Sequence, residues 1–178
     1  MISQIRRGLL LPIALLAATG CASGSEVRAG PPGSGCPDPV YRQLDFRLGE
    51  FTVTGIGGVA AGESRVESVL GGCMLVEHWR GAISGHGRAH MFYDRADRTW
   101  RLVYVTDDGA TLYLSGEFQG NTLLLTGEND MDSMAGLHRM TFSPLTNGAS
   151  RQLWEFSTDE GASWNVIHDG AYKRIGGR

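Results

Sequence analysis

The chain has 178 residues, with 16 Lys and Arg against 19 Asp and Glu, a formal net charge of −3. That balance leaves no basic patch for nucleic acid or for an anionic lipid surface. A body of this length makes one domain.

Residues 1–21, MISQIRRGLLLPIALLAATGC, place Arg6 and Arg7 before an apolar run from Leu9 to Ala18 that ends in small residues and a cysteine. Charged, apolar, then small is the order of a secretory signal, and the run is too short to span a bilayer as a stable helix. The arginine pair faintly resembles a twin-arginine signal. No Ser or Thr directly precedes it, which favours the general secretory route. Ala18-Thr19-Gly20-Cys21 resembles a bacterial lipobox, which implies that residues 1–20 are a lipoprotein signal peptide and that Cys21 becomes the lipidated N-terminus. By resemblance to lipoproteins in which Asp after that cysteine favours inner-membrane retention, Ala22 points to the outer membrane, facing the periplasm. Residues 21–35 are rich in Gly, Pro and Ser and bury too little to order themselves. They are expected to be a flexible tether with a reach of about 20 Å.

The domain is expected over 36–178. Its two cysteines, Cys36 and Cys73, lack a metal-type spacing. In an oxidising compartment they read as a disulfide that pins the tether end to the body, with two free thiols as the alternative.

Apolar and polar residues then alternate in short runs, among them EFTVTGI, CMLVEHWRG, HGRAHMFYD, TWRLVYVT, ATLYLSGEF, GLHRMTFSP and RQLWEFS. Asp108-Gly109, Gln119-Gly120-Asn121 and Asn147-Gly148 are turn residues suited to joining antiparallel strands. The count is about ten strands, with helical signal confined to a turn around Tyr41 to Phe46. Several strands are apolar on both faces, as in Leu123-Leu124-Leu125 and Leu102-Val103-Tyr104-Val105. The expectation is an all-β, antiparallel up-and-down barrel of the lipocalin or fatty-acid-binding type; a two-sheet sandwich is the alternative.

Ser157, Asp159, Gly161 and Trp164 have the S-x-D-x-G-x-x-W spacing that resembles the Asp-box of sialidase propellers. A propeller needs at least four blades and a recurring motif; this chain has one copy. Asp159, Gly161 and Trp164 are therefore expected to be a structural hairpin turn.

The segments YRQLDFRLGEF at 41–51, LGGCMLVEHWRG at 70–81, MFYDRADRTWRLVYVTDDG at 91–109, RQLWEFSTDEGASW at 151–164 and the closing DGAYKR resemble a family of bacterial secreted proteins of unknown function, described as lipocalin-like barrels. The resemblance implies a fold, not a reaction. The family opening reads F-D-F-W-L-G-x-W, and here Arg47 and Phe51 stand at the two Trp positions. The Leu48-Gly49-Glu50-Phe51 run is also similar to the lipocalin G-x-W, whose aromatic plugs one end of the barrel, a role Phe51 fills with less area.

No G-x-S-x-G, H-E-x-x-H or C-x-x-C pair occurs. His86 and His90 are a poor metal pair, since four strand residues span about 13 Å; no metal is expected, and Glu128-Asn129-Asp130-Met131-Asp132 reads as a solvated turn rather than a Ca²⁺ loop. No cofactor is expected; haem ligation by one of His78, His90, His138 or His168 is the low-ranked alternative. The candidate ligand-binding residues are Glu77, Trp79, Trp100, Tyr104, Arg139 and Glu155, of which Glu77 with Trp79, and Trp100 with Tyr104, share a face by strand parity.

Three readings follow. The first is a membrane-tethered periplasmic lipoprotein that binds a small, mostly apolar molecule inside the barrel. The second is an enzyme, a hydrolase or isomerase, using Glu77 and Glu155 as a carboxylate pair. The third is an envelope lipoprotein that binds protein or wall polymer through its surface.

Overall fold

Turn residues cut the body of the chain into ten strands, and each pairs antiparallel with the next. In this computed structural model, which describes residues 35–83, 85–131 and 134–176, they are β1 Gly49–Thr54, β2 Ala60–Val69, β3 Met74–Gly81, β4 His86–Asp94, β5 Thr99–Thr106, β6 Thr111–Gln119, β7 Thr122–Met131, β8 Met134–Pro144, β9 Ser150–Ser157 and β10 Asn165–Arg174. β1 also pairs with β10, from Phe51 opposite Arg174 to Thr54 opposite Ala171, and this closes the barrel. The barrel expectation is met and the sandwich is not. Closure removes the edge strands that a sandwich would have to protect.

The chain divides into two units, Met1–Pro32 and Gly33–Arg178, and the barrel is the second. The segments expected to be a signal peptide and, as far as residue 34, a tether lie outside the described residues, as does Cys21.

Period two explains the mixed strands. Leu123 and Leu125 are buried while Leu124 faces out, and Leu102 is buried while Val105 on the other parity is exposed. Phe51, Leu75, Met91, Leu102, Leu112, Leu123, Leu125 and Phe142 fill the interior. The turns form where their residues allow a left-handed backbone: Asn147 and Gly148 sit at φ 60° and 72° between β8 and β9.

One end is plugged by two short 3₁₀ turns, Pro39–Arg42 and Asp45–Arg47, where the sequence shows its only helical signal. Leu44 from this segment is fully buried. Tyr41, Tyr93, Trp100 and Phe118 stack edge to face in series, with ring centroids 5.9, 5.9 and 6.3 Å apart. Trp100 Nε1 donates to Gln43 Oε1 at 3.0 Å. The Cys36–Cys73 disulfide ties the start of the plug to the β2–β3 turn, and Cys36 N–H donates to Gly71 O at 3.0 Å.

The S-x-D-x-G-x-x-W segment is the β9–β10 hairpin. Asp159 Oδ1 accepts the Ser163 N–H at 2.8 Å, Asp159 Oδ2 accepts the Ser163 hydroxyl at 2.6 Å, and Gly161 has φ 89°. These bonds, the Ser163 hydroxyl first, hold the Asp159 carboxyl down to a pKa of about 2. Trp164 lies under the Arg139 guanidinium, 3.9 Å from its ring centre.

Candidate ligand-binding cavity

The end opposite the plug is open, and a cavity of about 420 Å³ runs inward from it. Its wall is wide where the strands carry small inward residues. Gly87 and Ala89 of β4 lie opposite Trp79 and Glu77 of β3, and Gly170 of β10 lies opposite Gln152 of β9. A Cβ on Gly87 would collide with the Tyr104 ring, and one on Gly170 with the His168 imidazole. The two glycines therefore let both rings lie flat against the barrel wall, which leaves the lumen free. On β10 the pairing with β9 shifts between Val166 and His168, and this bulge turns both Ile167 and His168 onto the cavity wall.

At its inner end the cavity rests on a buried polar cluster. Arg47, fully buried in the plug, donates from Nη2 to Glu77 Oε1 at 2.9 Å and to Gln152 Oε1 at 3.1 Å. The Ser64 hydroxyl donates to the same Glu77 oxygen at 2.6 Å, and the Tyr172 hydroxyl to Gln152 Oε1 at 2.9 Å. The guanidinium carbon lies 4.1 Å from the Tyr172 ring centre and 5.0 Å from that of Phe142. Arg47 fills space by stacking and spends its charge on Glu77. Its Nε finds no partner among the described residues.

These surroundings shift the neighbours. Burial is the largest single influence on Arg47 and would lower its pKa, but Glu77 and Tyr172 together outweigh it and the net direction is up. Burial, then the Glu77 charge, pushes the Tyr104 hydroxyl up to about 12 and Tyr172 upward as well. Burial lowers His168 below the ordinary imidazole value, so its ring is neutral at pH 7.

Of the six residues expected to line a site, Glu77, Trp79 and Tyr104 meet on the cavity wall. Trp100 shares the inward face with Tyr104, as parity predicts, but lies at the plugged end, four residues along β5. Arg139 and Glu155 do not reach the cavity. They form a two-bond pair, both distances 2.9 Å, on the outer face, where Glu155 lies opposite the exposed Val166. Glu155 is nonetheless buried, because Arg139 covers it and Trp164 covers Arg139. Parity could not separate these cases, since an outer residue under a hairpin looks as buried as an inner one. Glu77 and Glu155 therefore face opposite sides of the wall and cannot share a substrate, which removes the geometric basis for the carboxylate-pair enzyme.

The histidines sort in the same way. His78 pairs with Glu67 on the outer wall at 2.8 Å, and His90 is exposed. Buried His138 uses both nitrogens: the Trp154 indole N–H donates to Nδ1 at 3.1 Å, and Nε2 donates to Met134 O at 2.9 Å. Only His168 of the four lines the cavity, and its Nε2 is turned against Gly170 rather than toward the lumen. That arrangement fits a haem ligand poorly. Among the described residues no cluster of His, Cys, Asp and Glu could hold a metal ion. Asn129 bridges to β6 instead, accepting the Tyr113 N–H at 2.7 Å and donating to Tyr113 O at 3.1 Å, while Asp132 lies outside the described residues.

No family model matches the chain, and no curated protein matches it. The cavity must therefore be read from its own chemistry. Arg47, Ser64, Gln152, Trp154 and Tyr172 escaped the sequence reading as site residues, and His168 entered it only as a haem-ligand alternative. One signal could have pointed to Arg47: a cation flanked by Phe46 and Leu48, at a position where the resembling family opening carries Trp.

Proposed function

We propose that the chain is an exported lipoprotein, anchored through Cys21 to the periplasmic side of the outer membrane, whose barrel binds a small, mostly apolar molecule. One observation carries this reading. The 420 Å³ cavity is lined by Trp79, Tyr104, Trp154, Phe142 and three methionines, with a few polar groups at its inner end and its mouth. Volume and composition both fall in the usual range of small-molecule sites, and methionines adapt their shape to a guest. A rival surface-binding role would favour a patch of exposed aromatics, and among the described residues the large hydrophobic side chains that stand out are aliphatic apart from Tyr113.

The geometry of the fold supports access from the aqueous side. Cys36, where the tether would join, is bonded to the plugged end, and the cavity opens at the other. The test is titration of the complete chain carrying Cys21→Ser, which removes the acylation site, with the neutral apolar fluorophore N-phenyl-1-naphthylamine. Saturable emission with one site per chain, weakened several-fold by Trp154→Ala, supports the reading. Absence of saturable emission sinks it. Metabolic labelling with a clickable palmitate, lost in Cys21→Ser, checks the anchor separately.

A further inference from the structure

The cavity offers acceptors and negative charge, and its one nearby guanidinium is withheld. Glu77 lines the wall with one oxygen spent: Oε1 takes hydrogen bonds from Arg47 and Ser64, while Oε2 receives none from the described residues. Arg47 does not line the cavity. It lies behind Glu77, fully buried between aromatic rings. Gln152 Nε2 makes one bond, to the weak acceptor Met140 Sδ at 3.5 Å, and as a neutral amide it can offer a donor but no positive charge. At the mouth stand Asp107 and Asp108. Asp107 accepts the His86 N–H at 3.1 Å, and Asp108 accepts from the Ala110 N–H at 3.3 Å. Among the described lining residues three are acidic and none is Lys or Arg.

An anionic headgroup, such as that of a fatty acid, would have to pass two carboxylates and arrive at a third with no cation to receive it. Asp107 and Asp108 are exposed and repel an anion only through solvent, whereas Glu77 is buried and repels it more strongly. A protonated amine meets the opposite conditions. The free Glu77 oxygen can accept a charge-assisted hydrogen bond, and the aromatic faces of Trp79, Tyr104 and Trp154 that line the same space attract a cation. The Met131, Met134 and Met140 side chains would take the hydrocarbon body.

We infer that the cavity selects a small apolar or aromatic molecule bearing one protonated amine, with the ammonium held at Glu77 Oε2. This rests on the reading of the barrel as a binding module and narrows its ligand class.

The experiment is isothermal titration calorimetry at pH 7 on the complete chain with Cys21→Ser, using 4-phenylbutylamine, 4-phenylbutyrate and 4-phenylbutan-1-ol, which share a ten-carbon skeleton. The amine should bind at least about tenfold more tightly than either other probe, the discrimination expected of one charge-assisted contact. In Glu77→Gln the amine should fall to the level of the alcohol. Because that variant leaves Arg47 without its counter-charge, Arg47→Met/Glu77→Leu, which removes both charges, serves as the second variant and should lose the preference equally. Equal or tighter binding of the carboxylate or the alcohol overturns the inference while leaving the binding module intact. So does failure of the amine to bind where N-phenyl-1-naphthylamine still does. If neither the fluorophore nor any probe binds, the underlying reading falls as well.

Discussion

Arg47 and Glu77 lie 2.9 Å apart inside the barrel, one from the plug and one from β3, with the arginine fully buried and the glutamate nearly so. Such a pair gains its attraction only by giving up hydration, so each member makes the other tolerable. Its geometry fastens the plug to the wall at the inner end of the cavity.

Removing one partner should therefore cost more than removing both. Arg47→Met is expected to lower stability by about 3 to 5 kcal/mol, and Arg47→Met/Glu77→Leu by less than the single change. Urea unfolding followed by tryptophan fluorescence measures both. A double variant weaker than the single would show that the pair stabilises the fold beyond mutual compensation.

Gly87 lies beneath the Tyr104 ring. Gly87→Ala should push that ring into the lumen and weaken fluorophore binding several-fold. Its effect on stability should stay within about 1 kcal/mol, because the side chain has the cavity to move into. Arg139→Met, outside the wall, should leave binding unchanged. Thermal melts and titrations on both variants separate the two effects, and loss of binding in Arg139→Met would mean that the site lies elsewhere.

The Cys36–Cys73 bridge closes a loop of 37 residues that contains the whole plug. Replacing both cysteines by Ser should cost roughly 3 to 4 kcal/mol on a chain-entropy account. The β1–β10 ladder does not depend on the bridge, so the barrel should stay closed and keep its β-type circular dichroism below the lowered midpoint.

Asp159 ties the β9–β10 hairpin through its ionised form, with a folded pKa of about 2 against an ordinary value near 4. A depressed carboxyl stabilises above the unfolded value and loses that contribution as pH falls through the folded one. Wild type should thus lose hairpin stability between about pH 4 and pH 2, whereas Asp159→Asn should show a flatter profile in that window. Hydrogen exchange at the Ser163 amide is the local readout; identical acid profiles would remove Asp159 from that role.

Strand number, the turn positions, the disulfide and the Asp159 hairpin were legible along the chain, because each depends on residues close in sequence or on a simple count. Alternation sets which residues share a face, so Glu77 with Trp79 and Trp100 with Tyr104 are correct pairs. Parity is silent on depth and on cover. Trp100 and Tyr104 share an inward face, yet one belongs to the plug and the other to the cavity. Arg139 and Glu155 are shielded from the outside by a hairpin that only the fold brings back over them.

What the local sequence determined was a set of strands and the turns between them, since φ preferences and the period of two act over a few residues. Closure of β1 on β10 decided the rest. It made inside and outside distinct, delivered Arg47 to Glu77 across 30 residues of chain, and left the lumen wide at Gly87 and Ala89 of β4 and Gly170 of β10, where two strands carry almost no side chain into the same space.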